Sequence, residues 1–139
     1  MMSGIRSINT RPELILRRGL HAAGLRFRLH ARGLPGRPDI VFARHQAVIF
    51  AHGCFWHGHD CHLFRMPSTR PDFWKAKIAR NRENDARALA ALATLGWRQA
   101  VVWECALKGR SRLPAGAVIK KSVSWLKSRR QTLEIRGIE

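Results

Sequence analysis

Twelve consecutive residues, Phe50 to Cys61 (F-A-H-G-C-F-W-H-G-H-D-C), hold three histidines, two of the chain's three cysteines, an aspartate and an adjacent Phe-Trp pair. The spacing C-x4-H-x-C of Cys54, His59 and Cys61 brings two thiolates and an imidazole within reach of one small ion, and Cys105, after an apolar run, can close a Cys3His set. Structural zinc sites take four N and S ligands in a tetrahedron, leave no position for water, and return their binding energy as folding energy. The fold must then bring residue 105 back to the loop at 54–61. The competing reading is three unrelated buried thiols, since a free cysteine is often an inert core residue. His62 could also stand in for His59.

Charge narrows the class further. Lys and Arg number 26 against nine Asp and Glu, a formal net charge of +17 spread along all 139 residues. Such a chain repels itself unless a polyanion balances it, and nucleic acid is the first candidate through phosphate neutralisation and counterion release. No apolar run reaches the roughly 18 residues of a spanning helix, and no N-terminal signal peptide is evident. An odd cysteine count without a disulfide framework reads as cytoplasmic. The length suits one domain over 1–139, with a short, loosely ordered arm at 1–9 and a basic C-terminal extension at 111–139.

Thr10-Arg11-Pro12-Glu13 forms a capping box, so a helix is expected from Thr10, with Leu16, Leu20 and Ala23 on one face and Gly24 ending it. Leu25 to His30 alternates apolar and basic residues as a half-exposed strand does. After the turn-rich Arg32–Pro38, Asp39 opens a short buried strand, Ile40–Phe42, and a turn at 43–46 leads to a strand over Ala47–Ala51. A carboxylate directly before three apolar residues, in a chain with nine acids, marks Asp39 as a candidate functional residue. A long helix over Pro71–Leu95 carries Leu89, Leu92 and Leu95 inward and Lys75, Lys77, Arg80, Arg82 and Arg87 outward, with Ser68 or Thr69 as its cap. Trp97 to Glu104 is the last clear strand, ending at Cys105, and 116–128 suits a short helix. Trp97 and Trp103 read as core, and His21, His30 and His45 as surface or satisfied polar residues. The sum is a small α/β domain with a mixed sheet flanked by helices.

Four segments, L-P-G-R-P-D-I-V-F at 34–42, V-I-F-A-H-G-C-F-W-H-G-H-D-C at 48–61, F-W-K-A-K-I-A-R-N at 73–81 and L-G-W-R-Q-A-V-V-W-E-C-A-L at 95–107, closely resemble the very-short-patch-repair mismatch endonuclease family in order and spacing. That resemblance implies a restriction-endonuclease-like α/β core with a structural zinc. It also implies a Mg2+-dependent nick in one strand of duplex DNA at the T·G mismatch left when 5-methylcytosine deaminates. By the same resemblance, Asp39 and the backbone carbonyl of Ala51 bind Mg2+, with waters and substrate phosphate completing the shell. Where related nucleases place an acid, a spacer and a lysine, this chain has Phe50-Ala51-His52, which moves proton chemistry onto His52 and His57. His57 is expected as the base and His52 as the phosphate-stabilising partner.

Glu13 matches the family's N-terminal acid, beside its capping role, and Phe55, Trp56 and Trp74 match its DNA-intercalating wedge. The wedge reads the cost of unstacking, which is lowest at a mismatch. Adjacent aromatics on an extended chain face opposite ways, so core packing of both Phe55 and Trp56 would need two cores. Position 51 is Ala where some members have Thr, Gly58 replaces a histidine-dense spacer, and the arm before Ser3 is shorter than in many members. The partners implied are T·G-containing duplex DNA and possible contacts with other repair proteins, with the enzyme itself a monomer. A restriction-type or general endonuclease on the same fold, and a zinc-containing DNA binder without activity, are the competing classes.

Overall fold

The computed structural model describes residues 9–138. Three helices and five strands follow in the order α1 (Arg11–Ala22), β1 (Arg28–Leu29), β2 (Ile40–Phe42), β3 (Ala47–His52), α2 (Pro71–Thr94), β4 (Arg98–Trp103), α3 (Ala115–Leu126) and β5 (Thr132–Ile135). The strands form one mixed sheet ordered β1-β2-β3-β4-β5. The first three pair antiparallel, and β3, β4 and β5 run parallel, joined by the crossover helices α2 and α3.

Alternation along the strands sorts side chains between two faces. Ile40, Phe42 and Ile49 pack with Leu16 and Leu20 of α1 and Val118, Trp125 and Leu126 of α3. Val41, Val48 and Phe50 pack with Leu92 of α2. The same alternation directs Asp39 and His52 to the α2 face, at the end of the sheet where β3 stops. On the far side Arg98 donates to the carbonyls of Trp125 and Leu126 at 3.1 and 2.9 Å and lies over the Trp125 ring, tying the end of α3 to the sheet.

The capping box forms in part. Thr10 Oγ1 accepts from Glu13 N–H at 3.4 Å, but the Glu13 carboxylate takes the Asn9 N–H at 3.0 Å rather than that of the cap residue. Leu16 and Leu20 are buried while Ala23 is exposed past the last turn. The strand expected over 25–30 shrinks to Arg28–Leu29, because Leu25 turns into the core and only two residues register with β2. The start of α2 is capped by neither Ser68 nor Thr69: Arg70 precedes it in a left-handed conformation (φ 55°), and the helix begins on Pro71. Leu95 is 59% exposed, so the leucine spacing overstated that face by one residue.

The sheet does not end at β4. Thr132–Ile135 pairs with Gln99–Val102 in parallel, so the basic stretch after 110 supplies both a helix and the last strand. Thr132 and Glu134, both exposed, flank Leu133 on a four-residue edge strand, which leaves little apolar signal for a sequence reading. The arm expected at 1–9 lies, apart from Asn9, outside the described residues. No helix among the described residues is long and apolar enough to cross a membrane.

Candidate active site

The loop before β2, the end of β3, the loop after it and the middle of α2 converge on one cleft of about 540 Å3, whose lining includes His30, Asp39, Ala51, His52, His57 and Asp85. Antiparallel pairing of β2 with β3 brings Asp39 beside the end of β3, where Ala51 N–H donates to Asp39 Oδ2 at 2.6 Å. Burial pushes the Asp39 carboxyl up to about 7, the Ala51 N–H opposes that shift, and nearby Glu13 adds to it. A carboxyl held this far above its ordinary range lacks a positive partner. A divalent cation would supply one.

Glu13 stands on the same side, its carboxylate fully buried at the first turn of α1. It accepts from Arg17 at 3.1 Å and lies 2.6 Å from His30 Nε2. His30, expected as a surface or satisfied polar residue, is satisfied by the buried acid Glu13. Its backbone is left-handed (φ 50°) and its N–H donates to the Asp39 carbonyl at 2.9 Å, which turns the ring toward Glu13 rather than along the sheet. One ligand atom from each of Glu13, His30 and Asp39 lies within 4.8 Å of the others, a mixed oxygen and nitrogen set able to hold a cation.

Beyond Asp39 the two candidate histidines lie in contact. The rings of His52 and His57 stack with centroids 3.9 Å apart and planes 7° apart. Burial, then the neighbouring His57, lowers His52 to about 3, while Asp85 pulls the other way, so His52 is neutral at cellular pH. His57 is more open, and its Nδ1 lies 2.5 Å from Asp85 Oδ2 on α2. Asp85 escaped the sequence reading because, inside a helix dense in charged residues, it looks like one more solvated carboxylate. Its register on the inward side of α2, seven residues before the buried Leu92, was the available signal.

The cysteines meet as their spacing anticipated. Parallel pairing of β3 with β4 brings the loop after His52 beside Cys105, and ligand atoms of Cys54, His59, Cys61 and Cys105 all lie within 4.8 Å of one another. His59 Nδ1 faces Cys54 Sγ at 3.5 Å and Cys105 Sγ at 3.6 Å. Cys105 N–H donates to Cys54 Sγ and Gly137 N–H to Cys105 Sγ, both at 3.3 Å, so backbone dipoles already point at the sulfurs. Cys54 and Cys105 are fully buried, and burial pushes both thiols above their usual range. A coordinated cation reverses that balance by deprotonating them outright. His62 sits apart, its Nδ1 3.3 Å from Ser111 Oγ. Trp103, expected in the core, instead stacks on His59 at 3.9 Å and donates its indole N–H to Glu134 at 2.7 Å, forming a wall of this centre.

A family model described as DNA mismatch endonuclease Vsr matches residues 1–63. The type II nicking enzyme V.XorIIP of Xanthomonas oryzae pv. oryzae is 53% identical over 83% of this chain and 85% of its own length. The DNA mismatch endonuclease Vsr of Escherichia coli is 46% identical over 88% of this chain and 80% of its own. The chain belongs to the Vsr DNA mismatch endonuclease family.

The three aromatics assigned to the wedge in this Vsr-family chain come together at the surface. Phe55 and Trp56 lie in a turn rather than an extended segment, so their rings do not diverge: centroids are 5.2 Å apart, and each lies within 5.8 Å of Trp74 at the start of α2. Phe64 and the exposed Phe73 extend the cluster. None of Phe55, Trp56 and Trp74 is fully buried, and Asn81 fixes the turn by donating to the Trp56 carbonyl at 2.8 Å. Gly58, which thins the histidine-rich loop, has φ 61°, and a Cβ there would approach Ile78 to 2.6 Å. A side chain at 58 would therefore displace the loop from α2.

Proposed function

We propose that this Vsr-family endonuclease nicks one strand of duplex DNA at T·G mismatches in a Mg2+-dependent reaction, on a restriction-endonuclease-like core stapled by zinc. The observation that carries the reading is the convergence, in one cleft, of a buried acid cluster with a stacked histidine pair beside a surface aromatic cluster. Asp39 and the Ala51 carbonyl would hold Mg2+, with Glu13 and His30 bordering the same space. When bound, that ion supplies Lewis-acid polarisation of the scissile phosphate and acidifies the attacking water.

The protein's own groups do the rest. Asp85 accepts the His57 Nδ1–H, so the neutral ring presents Nε2 as the acceptor for a proton from the attacking water. His52 is too deeply buried to charge, so it serves as a neutral N–H donor to a phosphate oxygen and as the plate that fixes the His57 ring plane. Its contribution is placement and one hydrogen bond, not positive charge. Cys54, His59, Cys61 and Cys105 would hold the zinc in a closed set without an open position for catalysis. These four ligands bracket the loop from which Phe55, Trp56 and His57 project, so a bound zinc would hold both the wedge and the base in place. Inserting Phe55, Trp56 and Trp74 beside the target pair costs least where pairing is already weak, which favours the mismatch.

Nicking of covalently closed DNA by wild type and Asp39→Asn, with Mg2+ and with EDTA, tests the reading. Wild type should nick only with Mg2+, and Asp39→Asn should bind DNA but not nick. Nicking by Asp39→Asn at the wild-type rate would remove the acid cluster from the reaction.

A further inference from the structure

A second basic surface lies away from the cleft. From Lys108 to Ile138 nine Lys and Arg stand against a single carboxylate, Glu134. α3 has no acid along its length, whereas α2 intersperses Asp72, Glu83 and Asp85 among its cations. The inward side of α3 is set by Val118, Ser122, Trp125 and Leu126, all buried, and this turns Lys120 and Lys121 to solvent. Between them and β5 runs a groove of about 560 Å3, lined also by Arg130, Leu133 and Arg136.

Internal structure does not account for these charges. Among the described residues Lys120, Lys121 and Arg130 meet no carboxylate in an ion pair. Glu134, which also borders the groove, gives its carboxylate to the Trp103 indole, and Arg136 is engaged by Asp60 at 2.9 Å. The groove belongs to the α3 side and the free edge of the sheet, while the catalytic cleft and aromatic cluster are on the α2 side. α3 packs on the face of the sheet opposite to α2, so its outward cations point away from the α2 side.

We propose that the groove between α3 and β5 binds the phosphate backbone of a second segment of duplex DNA while the α2 face engages the first. The proposal rests on the reading of the α2 face as the substrate side. Three unpaired cations beside one another match a phosphate ladder, which binds through counterion release and needs no shaped pocket. The groove offers no exposed aromatic anchor of the kind that carries protein interfaces, which favours DNA over an acidic protein. A second foothold would keep the enzyme on DNA during transfer between segments in the search for a rare target.

Native mass spectrometry of the full chain with a short matched duplex reads the stoichiometry directly. Wild type and Asp39→Asn should bind two duplexes at low salt, and Lys120→Gln/Lys121→Gln/Arg130→Gln should bind one. The same variant should keep its zinc content, melting temperature and rate of T·G nicking on a short duplex. Any residual second step that the triple variant shows at very low salt should have a slope of log affinity against log salt smaller by roughly 3, for three lost phosphate contacts. One duplex on wild type, or two on the triple variant with an unchanged slope, would overturn the proposal. So would a second site that polyglutamate fills and duplex does not. Two bound duplexes on a wild type that does not nick would support the groove and count against the nickase reading alone.

Discussion

His57 and Asp85 stand Nδ1 to Oδ2 at 2.5 Å, across 28 residues of sequence and between the loop that carries Cys54, His59 and Cys61 and the middle of α2. In the proposed reaction this pair leaves Nε2 of His57 for the attacking water. Asp85→Asn should therefore reduce nicking by disturbing the tautomer and ring placement, while His57→Ala should cost about 10²- to 10⁴-fold, the usual range for a lost general base. Single-turnover rates give the comparison. Equal rates for wild type and Asp85→Asn, with zinc and melting temperature unchanged, would leave Asp85 without a role in orienting the base.

The proposed zinc site at Cys54, His59, Cys61 and Cys105 makes a stability prediction. Cys54→Ser, Cys61→Ser and Cys105→Ser should each lose the metal and lower the melting temperature together, because ligand binding energy in a closed site is folding energy. Purified protein should contain one equivalent of zinc, and a chelator should destabilise wild type more than any of the three variants. An active, folded preparation without zinc would end this assignment.

The raised Asp39 carboxyl predicts a pH dependence with a definite sign. Its value moves from 3.8 to about 7 on folding, so without a cation the folded state holds the proton more tightly than the unfolded state. The stability this provides is complete below pH 3.8 and is lost as pH rises through about 7. Asp39→Asn has no such loss, so its melting temperature should gain on that of the metal-free wild type between pH 4 and 7 and then level off. Mg2+ competes with the same proton, so wild-type Mg2+ affinity should rise through that range, as calorimetry can measure. A pH-independent difference in melting temperature would show that the carboxyl is not perturbed.

Trp56 and Trp74 separate a wedge from a core. Both are only half-buried, so replacing either with Ala should cost well under the about 3 to 5 kcal/mol of a buried Trp→Ala change. Nicking at T·G should fall far more than salt-sensitive binding to matched duplex, which depends on Lys and Arg contacts left in place. A large drop in melting temperature with the mismatch preference intact would make these rings structural.

Much of this site was legible because its residues are chemically rare and closely spaced. Cys54, His59, Cys61 and Cys105 declared a common cluster by type, and Asp39 stood out as a charge against the apolar Ile40–Phe42. His30 and Asp85 were not legible, because each acts through a tertiary contact, with Glu13 and with His57, that neither local spacing nor charge announces. The fold divides in the same way. α1 and β3 follow from periodicity and capping, whereas β5 takes its place from parallel pairing with β4 rather than from any pattern in Thr132–Ile135.

The most direct measurement is the single-turnover nicking rate on two duplexes that differ only in one T·G or C·G pair, with saturating enzyme and Mg2+. The account predicts rapid cleavage of one strand beside the T·G pair, no cleavage of the matched duplex on the same timescale, and loss of both the rate and the preference in Trp56→Ala. Equal cleavage of the two duplexes, or cleavage of both strands, would contradict it.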